Sequence, residues 1–151
     1  MDFSVLNFPK ANLKLQKQGN EVFVWCEIRR KKLRLSPEEW VRQHLIHYLL
    51  HHKNYPLGRM ASEVQLELNG QKKRCDLLVV DDQGTPYLLV ECKAPTIPLD
   101  HSTINQTVQY NSQLQVPYLA MTNGVEHYIF HLRYEDHKAE QLADFPDSPG
   151  H

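Results

Sequence analysis

Two short apolar runs separated by a turn constrain the fold of this chain more than any other feature. Residues 77–80 and 87–90 are rich in Val and Leu, and an Asp-Asp-Gln-Gly sequence follows the first run. Apolar runs of this length that are bounded by turn residues predict buried β-strands. If Gln83 and Gly84 form a two-residue turn, the strands make a hairpin in which Asp76 lies opposite Glu91.

The register of this hairpin decides which side chains share a face. Directly opposed residues of an antiparallel pair lie about 5 Å apart at Cβ, so Asp76 and Glu91 are predicted to be side by side. A four-residue loop also keeps both acids on one face, whereas an odd loop without a bulge separates them. Lys93 is predicted on the same face as Glu91, because it follows two residues later. Cys75 and Cys92 are predicted as buried thiols that face each other, away from the acids.

Two adjacent carboxylates beside an ammonium are typical of a metal-dependent hydrolase. The carboxylates repel each other, and a divalent cation reverses that repulsion because hard oxygen ligands suit Mg²⁺, for which Mn²⁺ would substitute. Asp76 and Glu91 would hold the metal, while Lys93 would position water and stabilise charge that develops on phosphorus. The alternative is an exposed hairpin face whose charges only make it soluble.

A second hairpin is predicted to bring a third acid into the same row. Residues 61–68 alternate between apolar and polar, and Asn69-Gly70 is a strong signal for a type I′ turn. Counting outward from that turn places Glu63 opposite Asp76. Glu63 is therefore predicted as a third acidic member of the site, and the alternative is an ordinary exposed residue of an edge strand.

The clearest helix of the chain follows Ser36. Ser36 as N-cap, Pro37 at the first helical position and Glu39 three residues after the cap form a capping box. Apolar residues at positions 41, 45, 48 and 49 predict that the helix packs on a sheet. Because Glu39 is assigned to the cap and Glu38 is expected to face solvent, we place neither in the site.

A run of cations precedes that helix. Residues 29–34 read Arg-Arg-Lys-Lys-Leu-Arg and follow a predicted strand over residues 21–29. Such a run would contact a phosphate backbone without sequence preference, or it is a solvated turn, and the sequence leaves both open. The formal net charge of the chain is −1, so any surface for nucleic acid must be local.

A further helix is predicted over residues 103–115. Gln106 and Tyr110 are four residues apart, so they share a face and would reach the acids or a phosphate together. We include both in the candidate site. The alternative for Gln106 is a role in a capping box with Thr103 as N-cap.

The acidic motif is similar to that of a known nuclease family. Asp76 followed by Glu91-Cys92-Lys93 resembles the signature of the PD-(D/E)xK superfamily, and the wording of residues 90–95, Val-Glu-Cys-Lys-Ala-Pro, resembles the N-terminal nuclease domain of type I restriction enzyme R subunits. The resemblance implies that Asp76 and Glu91 bind the metal and that Lys93 orients the attacking water.

The resemblance extends over most of the chain. It includes the Gln-x-x-x-Tyr motif of the family, here Gln106 and Tyr110, and residues 28–32, 35–44, 116–118 and 122–124. Cys75 departs from it, because proline is most common there. No motor domain is expected within the chain, so cleavage coupled to translocation is not implied.

The order of predicted elements is strand, helix, three strands, helix and two strands. This order predicts an α/β domain of the restriction-endonuclease-like (PD-(D/E)xK) fold, with a mixed sheet flanked by helices, an extra N-terminal strand segment and a C-terminal hairpin. The domain is expected to span residues 1–134. Residues 135–151 are predicted to be a polar, loosely held tail in which Leu142 and Phe145 could dock.

These observations predict a Mg²⁺-dependent DNA endonuclease that hydrolyses phosphodiester bonds. Its expected partners are DNA and other restriction-system or helicase subunits, and a homodimer is left open. A cytoplasmic location without a membrane partner is expected, because the sequence has neither a signal-peptide pattern nor an apolar run of membrane-spanning length. The alternative is a non-catalytic nucleic-acid-binding or assembly subunit with the same fold.

Overall fold

The strands of the protein form two sheets. The computed structural model describes residues 3–68 and 70–150, with the backbone alone for Leu68 and residues 109–113. The smaller sheet is antiparallel, in the order β1-β2-β3. Its strands are β1 (Leu15–Gln18), β2 (Glu21–Cys26) and β3 (Lys31–Arg34). The predicted N-terminal strand is thus found, and it is the centre of a sheet.

The larger sheet has six strands in the order β4-β5-β6-β7-β8-β9. Only β6 and β7 are parallel in this sheet, so it is mixed, as predicted. The strands are β4 (Met60–Leu68), β5 (Gln71–Val80), β6 (Pro86–Cys92), β7 (Tyr118–Thr122), β8 (His127–Arg133) and β9 (Lys138–Leu142). The predicted C-terminal hairpin corresponds to β7 and β8.

Two α-helices flank the larger sheet. They are α1 (Pro37–His51) and α2 (His101–Leu114), and a short 3₁₀ turn (Leu57–Arg59) leads from α1 into β4. The hydroxyl of Ser36 accepts the Glu39 N–H at 3.0 Å, which confirms the predicted N-cap of α1. Neither helix is long and apolar enough to cross a membrane in the described parts of the chain.

The hydrophobic core is divided by the sheet into two clusters. The α1-side cluster contains buried residues of α1 together with side chains from alternate positions of β5 and β6, namely Leu77, Val79, Leu88, Val90 and Cys92. The α2-side cluster contains Cys75, Leu89, Val116 and Leu119, with Val108 of α2 packed against it. Because Leu88 and Leu89 are consecutive in β6 and belong to different clusters, the clusters lie on opposite faces of the sheet.

The prediction that Cys75 faces Cys92 is wrong. Both thiols are buried as predicted, but Cys75 belongs to the α2-side cluster and Cys92 to the α1-side cluster. Cys75 is also two residues from Leu77 in β5 and would share its face in a regular strand. The alternation of side chains is therefore broken at the residue between them, Asp76.

The neighbouring strand β4 has the same break at the same level. Met60 packs in the α1-side cluster, whereas Val64 packs against the α2-side cluster. Between them Glu63 has a φ of 52°, in the left-handed region that a non-glycine residue rarely adopts. The pairing count is nevertheless unchanged, because Ser62 pairs with Leu77 and Val64 with Cys75. Glu63 and Asp76 thus stand opposite each other where both strands reverse their faces.

The hairpin between β5 and β6 has the predicted register but not the predicted turn. Leu77 pairs with Val90, so Asp76 and Glu91 follow as the next positions outward. The loop is closed by the Asp81 N–H, which donates to the Thr85 carbonyl at 2.8 Å, and the register shifts between Val79 and Val80.

That loop has an odd length, and its bulge compensates for it. Residues 82–84 form the loop, with Gly84 at a φ of 78°. A three-residue loop with a left-handed glycine is the usual partner of a bulge in a hairpin. The prediction of a two-residue turn at Gln83-Gly84 is therefore wrong, but the bulge restores the predicted pairing of residues between β5 and β6. The predicted type I′ turn at Asn69-Gly70 lies partly outside the described residues, although Gln65 pairs with Arg74 as it requires.

The segment that follows β8 is not loosely held, contrary to prediction. Lys138–Leu142 forms β9 and pairs with β8, and Phe145 is buried with 3% of its surface exposed. The hydroxyl of Tyr48 in α1 donates to the Asp144 carboxylate at 2.8 Å. The docking of Leu142 and Phe145 against the α1-side cluster is thus confirmed. β9 shows no alternation of apolar and polar residues, and four of its five residues are exposed.

Candidate active site

A buried arginine occupies the centre of the acidic region. The side chain of Arg42 in α1 is only 6% exposed, and its guanidinium contacts four carboxylates. They are Asp76 at 2.8 Å, Glu63 at 2.9 Å, Glu39 at 3.0 Å and Glu38 at 3.2 Å. Burial acts against the charge of Arg42, but Glu39 and then Asp76 raise its pKa, so it remains a cation. We call Arg42 with Glu39, Glu63 and Asp76 the arginine cluster.

Asp76 is held through both of its carboxylate oxygens. Oδ1 accepts from Arg42 at 2.8 Å, and Oδ2 accepts the backbone N–H of Cys92 at 2.7 Å. The second contact places Asp76 directly against the end of β6, where Glu91 precedes Cys92. The break in alternation at Asp76 therefore joins α1 to the end of β6.

Glu91 lies beside Asp76 but is not paired with a cation in the described part of the chain. Burial, and then the charge of Asp76, raise the pKa of Glu91 to about 8. The negative charge of Asp76 repels that of Glu91, so Glu91 holds its proton more tightly than a free glutamate does. Asp76 and Glu91 are the next positions in register beyond the pair of Leu77 with Val90, as predicted.

Lys93 lies directly after β6, at the edge of this acid pair. Its backbone N–H donates to the carbonyl of Thr122 in β7 at 2.8 Å, which fixes the chain as it leaves the sheet. The charge of Lys93 acts to lower the pKa of both Glu91 and Glu38. Its ammonium is therefore close enough to influence both acids.

Glu38 is the acid that the sequence analysis left out. Its side chain is 47% exposed, as expected for a solvent-facing residue, but it also contacts Arg42. Burial, and then the charge of Asp76, raise the pKa of Glu38, whereas the charges of Arg42 and Lys93 act to lower it. Glu38 thus belongs with Asp76, Glu91 and Lys93.

Glu39 has a structural role, although it differs from the predicted one. Its carboxylate is buried and accepts from Arg42 and from the Gln43 side chain, each at 3.0 Å. A sequence signal for this group exists, since residues 38, 39, 42 and 43 are polar and lie three or four apart in a largely apolar helix.

Glu63 stands opposite Asp76, as predicted, but contacts cations. Its Oε1 accepts from Arg42 at 2.9 Å, and its Oε2 accepts from Arg29. Although burial opposes ionisation, the hydrogen bond to Arg42 holds the pKa of Glu63 below its ordinary value. Glu63 is therefore bridged to Asp76 by Arg42, and it connects the smaller sheet to the arginine cluster through Arg29.

Gln106 of α2 lines a cavity together with Glu91. This open cavity of about 220 Å³ is lined by Gln106 and Thr107 of α2 together with Glu91, Lys73 and Arg74. This position agrees with the prediction that the helix after β6 reaches the acids. The side chain of Tyr110 lies outside the described residues.

The capping alternative for Gln106 is wrong. The N-cap of α2 is Asp100, whose carboxylate accepts both the backbone N–H of Thr103 at 2.9 Å and its hydroxyl at 2.8 Å. The helix therefore starts at His101, two residues before the predicted start. Gln106 consequently lies in the second turn, where a side chain does not cap the helix.

The donor chemistry of the acid pair suits a divalent cation. Asp76 and Glu91 supply only oxygen atoms, and a cation would offset the repulsion that raises the pKa of Glu91. Glu38 offers a further carboxylate at the same place. Among residues 3–68 and 70–150, no three His, Cys, Asp or Glu side chains are already arranged as a set of metal ligands.

Comparison with known proteins identifies the class of this domain. Residues 37–146, well over half of the chain, match the family described as the type I restriction enzyme R protein N terminus (HSDR_N). The chain belongs to that family. No curated protein is significantly similar to it.

A solved structure shares the fold. It is a fragment of a protein assigned as an HsdR subunit of a type I restriction enzyme from Vibrio vulnificus YJ016, with a TM-score of 0.53 and 20% sequence identity. The similarity covers 76% of this chain and 24% of that one. This chain therefore corresponds to about a quarter of the length of that protein.

Proposed function

We propose that the chain is a Mg²⁺-dependent DNA endonuclease domain of the restriction-endonuclease-like (PD-(D/E)xK) fold. The observation that carries the proposal is the position of Asp76 at the end of β6, where it accepts the backbone N–H of Cys92 at 2.7 Å, between Glu91 and Lys93 in the chain. Folding stability alone does not favour two neighbouring carboxyl groups, because their negative charges repel each other. The proposal is further supported by membership of the R protein family.

Each residue of the site has a distinct role in this proposal. Asp76, Glu91 and Glu38 would hold Mg²⁺, for which Mn²⁺ would substitute, and the ion would supply a Lewis acid and a water of lowered pKa. Lys93 would orient that water and offset negative charge that develops on phosphorus.

The other predicted residues act around the metal ligands. Gln106 lines the cavity beside Glu91, where it would hold the phosphate backbone, and Tyr110 is proposed as its partner on α2. Glu63 would act indirectly, because it fixes Arg42 and thereby Asp76.

The proposed partners follow from the family. DNA is the proposed substrate, and other subunits of a restriction system, including a helicase part, are the proposed protein partners. The place of action would be the cytoplasm. A homodimer is one way in which such a domain would cut both strands, and it remains a proposal.

A metal titration combined with a cleavage assay tests this function. Mn²⁺ or Mg²⁺ is titrated by calorimetry into wild type, Asp76→Ala and Glu91→Gln, and the same samples are assayed for nicking of supercoiled plasmid. We expect both binding and nicking to be lost in both variants. Asp82→Asn is the matched control, because Asp82 is an exposed acid in the loop of the same hairpin.

Two outcomes would contradict the proposal. Metal binding by Glu91→Gln with wild-type affinity would show that the acid pair is not the metal site. Nicking by wild type that persists in EDTA would show that hydrolysis does not need a divalent cation.

One observation favours a second function, that of a non-catalytic nucleic-acid-binding or assembly subunit. Arg42 already pairs with Asp76, Glu63 and Glu39, so each of these acids has a cation beside it without a metal. Wild type that binds DNA but neither binds metal nor nicks plasmid would support this function instead.

A further inference from the structure

The outer face of the smaller sheet carries two aromatic side chains between two rows of polar ones. Val24 and Cys26 of β2 are completely buried, so the alternate residues Phe23 and Trp25 point outward. Trp25 is 37% exposed and Phe23 is half-buried. A contiguous apolar patch that is rimmed by polar residues marks an interaction site.

Cations flank these rings on both neighbouring strands. Lys32 pairs with Trp25 and Arg34 with Phe23 across β3, and all four side chains share the outer face. On the other side, the carbonyl of Lys14 accepts the Trp25 N–H at 3.0 Å, which places Lys14 next to Trp25. Lys14, Lys32 and Arg34 are exposed.

A shallow cavity of about 210 Å³ lies on this face. It is lined by Lys14, Leu15, Gln16, Phe23, Trp25 and Lys32. Two acids lie at the ends of the row of rings: Glu21 pairs with Arg34 at 3.3 Å, and Glu27 lines a neighbouring cavity with Trp25 and Lys14. The face is therefore apolar at its centre, with cations on the strands to either side of the rings.

We propose that this aromatic face, defined by Lys14, Gln16, Phe23, Trp25, Lys32 and Arg34, binds single-stranded nucleic acid. Bases would stack on the two rings while the cations contact phosphates, which is the common arrangement of single-strand binding surfaces. The proposal does not depend on the nuclease function, because the face is separate from the acid pair and needs no metal.

The spacing of the rings selects a single strand over a duplex. Side chains two residues apart in a strand are separated by about 6.6 Å, roughly twice the 3.4 Å rise between stacked bases. Neighbouring bases must therefore separate from each other to place one on each of Phe23 and Trp25. A single strand does this readily, whereas the bases of a duplex are held in their stack.

Charge distinguishes this occupant from a protein partner. The centre of a protein interface is depleted of lysine, because a lysine is costly to desolvate there. Here Lys14 and Lys32 lie on either side of Trp25. A polyanion with flat apolar bases matches this combination better than an apolar protein surface does.

The structure also divides the cationic run over residues 29–34 between two roles. Arg29 binds Glu63 and joins the smaller sheet to the arginine cluster, whereas Lys32 and Arg34 belong to the aromatic face. Lys31 lies on the opposite face of β3, since it pairs with the buried Cys26. It therefore provides a matched control within the same strand.

Fluorescence titration of the whole chain in EDTA tests the proposal. The probe is a labelled oligothymidine of roughly 12 nucleotides, a length within the usual site size for single-strand binding folds. We expect binding to quench tryptophan emission in wild type. The chain has two tryptophans. The other, Trp40, donates its indole N–H to the Ser4 carbonyl at 2.9 Å within the fold.

Variants assign the signal to this face. We expect Trp25→Ala to bind the labelled strand about 5- to 150-fold more weakly, the range for loss of one stacked base, with unchanged emission from Trp40. Lys32→Gln should reduce the slope of log affinity against log salt by about 0.7, the value for one phosphate contact of a single strand. Lys31→Gln should leave the slope unchanged. A matching circular dichroism spectrum and melting temperature show that each variant is folded.

Three results would overturn the proposal. One is wild-type affinity in Trp25→Ala. Another is a blunt duplex of the same length that binds as tightly as the single strand, which would indicate charge attraction alone. The third is the absence of binding together with a dimer that Trp25→Ala dissociates, which would identify the face as a protein interface. Because no metal is present, none of these results bears on the nuclease function.

Discussion

Asp76 and Glu91 are neighbouring acids, but the surroundings of Asp76 stabilise its negative charge, whereas those of Glu91 disfavour one. Asp76 accepts hydrogen bonds from Arg42 and from the Cys92 backbone, so both of its oxygens are bound. Glu91 lies against Asp76, and its pKa is raised to about 8 by burial and by that neighbour. One acid is thus neutralised within the fold, whereas the other retains a proton that a ligand would have to replace.

This difference divides the acidic region into residues that stabilise the fold and residues that we expect to act on a ligand. The carboxylates of the arginine cluster are paired with a cation and stabilise the contact of α1 with the sheet. Glu91 and Glu38 have raised pKa values and lie beside Lys93. Glu91 also lines an open cavity, and a group with a perturbed pKa in such a place is expected to act on a ligand. Four substitutions test this separation.

The largest effect is expected from Arg42→Met. Removing the guanidinium leaves Glu39 and Asp76 buried without a cation, and breaking a buried ion pair typically costs about 3–5 kcal/mol. The free energy of unfolding is measured in urea at pH 7. Arg34→Met is the control, because the pair of Arg34 with Glu21 is exposed and should contribute less than about 1 kcal/mol. Equal effects of the two substitutions would contradict a structural role for Arg42.

Glu91→Gln should increase the free energy of unfolding, whereas Arg42→Met should decrease it. In EDTA, folding raises the pKa of Glu91 from about 4.5 to about 8, so the folded state binds a proton that the unfolded state releases. Stability from this group is complete below pH 4.5 and is lost as the pH rises towards 8. The variant should therefore be more stable than wild type by up to about 3 kcal/mol at pH 7, with little difference at pH 4.5. A difference that does not grow with pH in urea unfolding would rule out this explanation.

Lys93→Ala is expected to affect activity and not stability. Nicking of plasmid in Mn²⁺ should fall by about 100-fold or more, which is the usual contribution of a group that handles a proton in the reaction. The melting temperature should not change, because no ion pair is formed by Lys93 in the part of the chain that the structure describes. Lys17→Ala, an exposed change in β1, should leave nicking intact. A variant that still cuts, or one that unfolds, would exclude Lys93 from this role.

The smallest effect concerns the left-handed backbone of Glu63. Glycine in a strand is usually less stable than alanine by about 0.5–1 kcal/mol. At Glu63 the order should reverse, with Glu63→Gly more stable than Glu63→Ala by about 1 kcal/mol, because alanine is strained at a φ of 52°. The same pair of substitutions at Glu67 in β4 should show the ordinary order. An ordinary order at both positions would mean that β4 is regular at Glu63.

The register of the sheet was predictable from the sequence, but the faces were not. The prediction placed Glu63 opposite Asp76 and Asp76 opposite Glu91 correctly, although the second pair came out right only because the bulge compensates for the wrong turn at Gln83-Gly84. The reversal at Glu63 left no signal, because glutamate is not a residue that favours the left-handed region. The prediction of the faces failed for Cys75 because the alternation in β5 also breaks, at Asp76.

The contacts of Arg42 could not be predicted for a different reason. The polar positions of α1 are visible in the sequence, but the capping box already accounts for Glu39, so nothing in the sequence indicates a buried cation beside it. β9 could not be predicted because its exposed residues show no alternation, and strand pairing there depends on β8. Tertiary contacts decided both cases.

The contact of Tyr48 with Asp144 also affects when the end of α1 becomes covered during synthesis of the chain. The two residues are 96 positions apart in the chain, and Lys53 contacts the same carboxylate across 91 positions. At a synthesis rate of about 5–20 residues per second, α1 leaves the ribosome roughly 5–20 s before Asp144 does. During that interval Asp144 is not yet available to contact the end of α1. This end of the helix is therefore accessible to chaperones and proteases in the nascent chain.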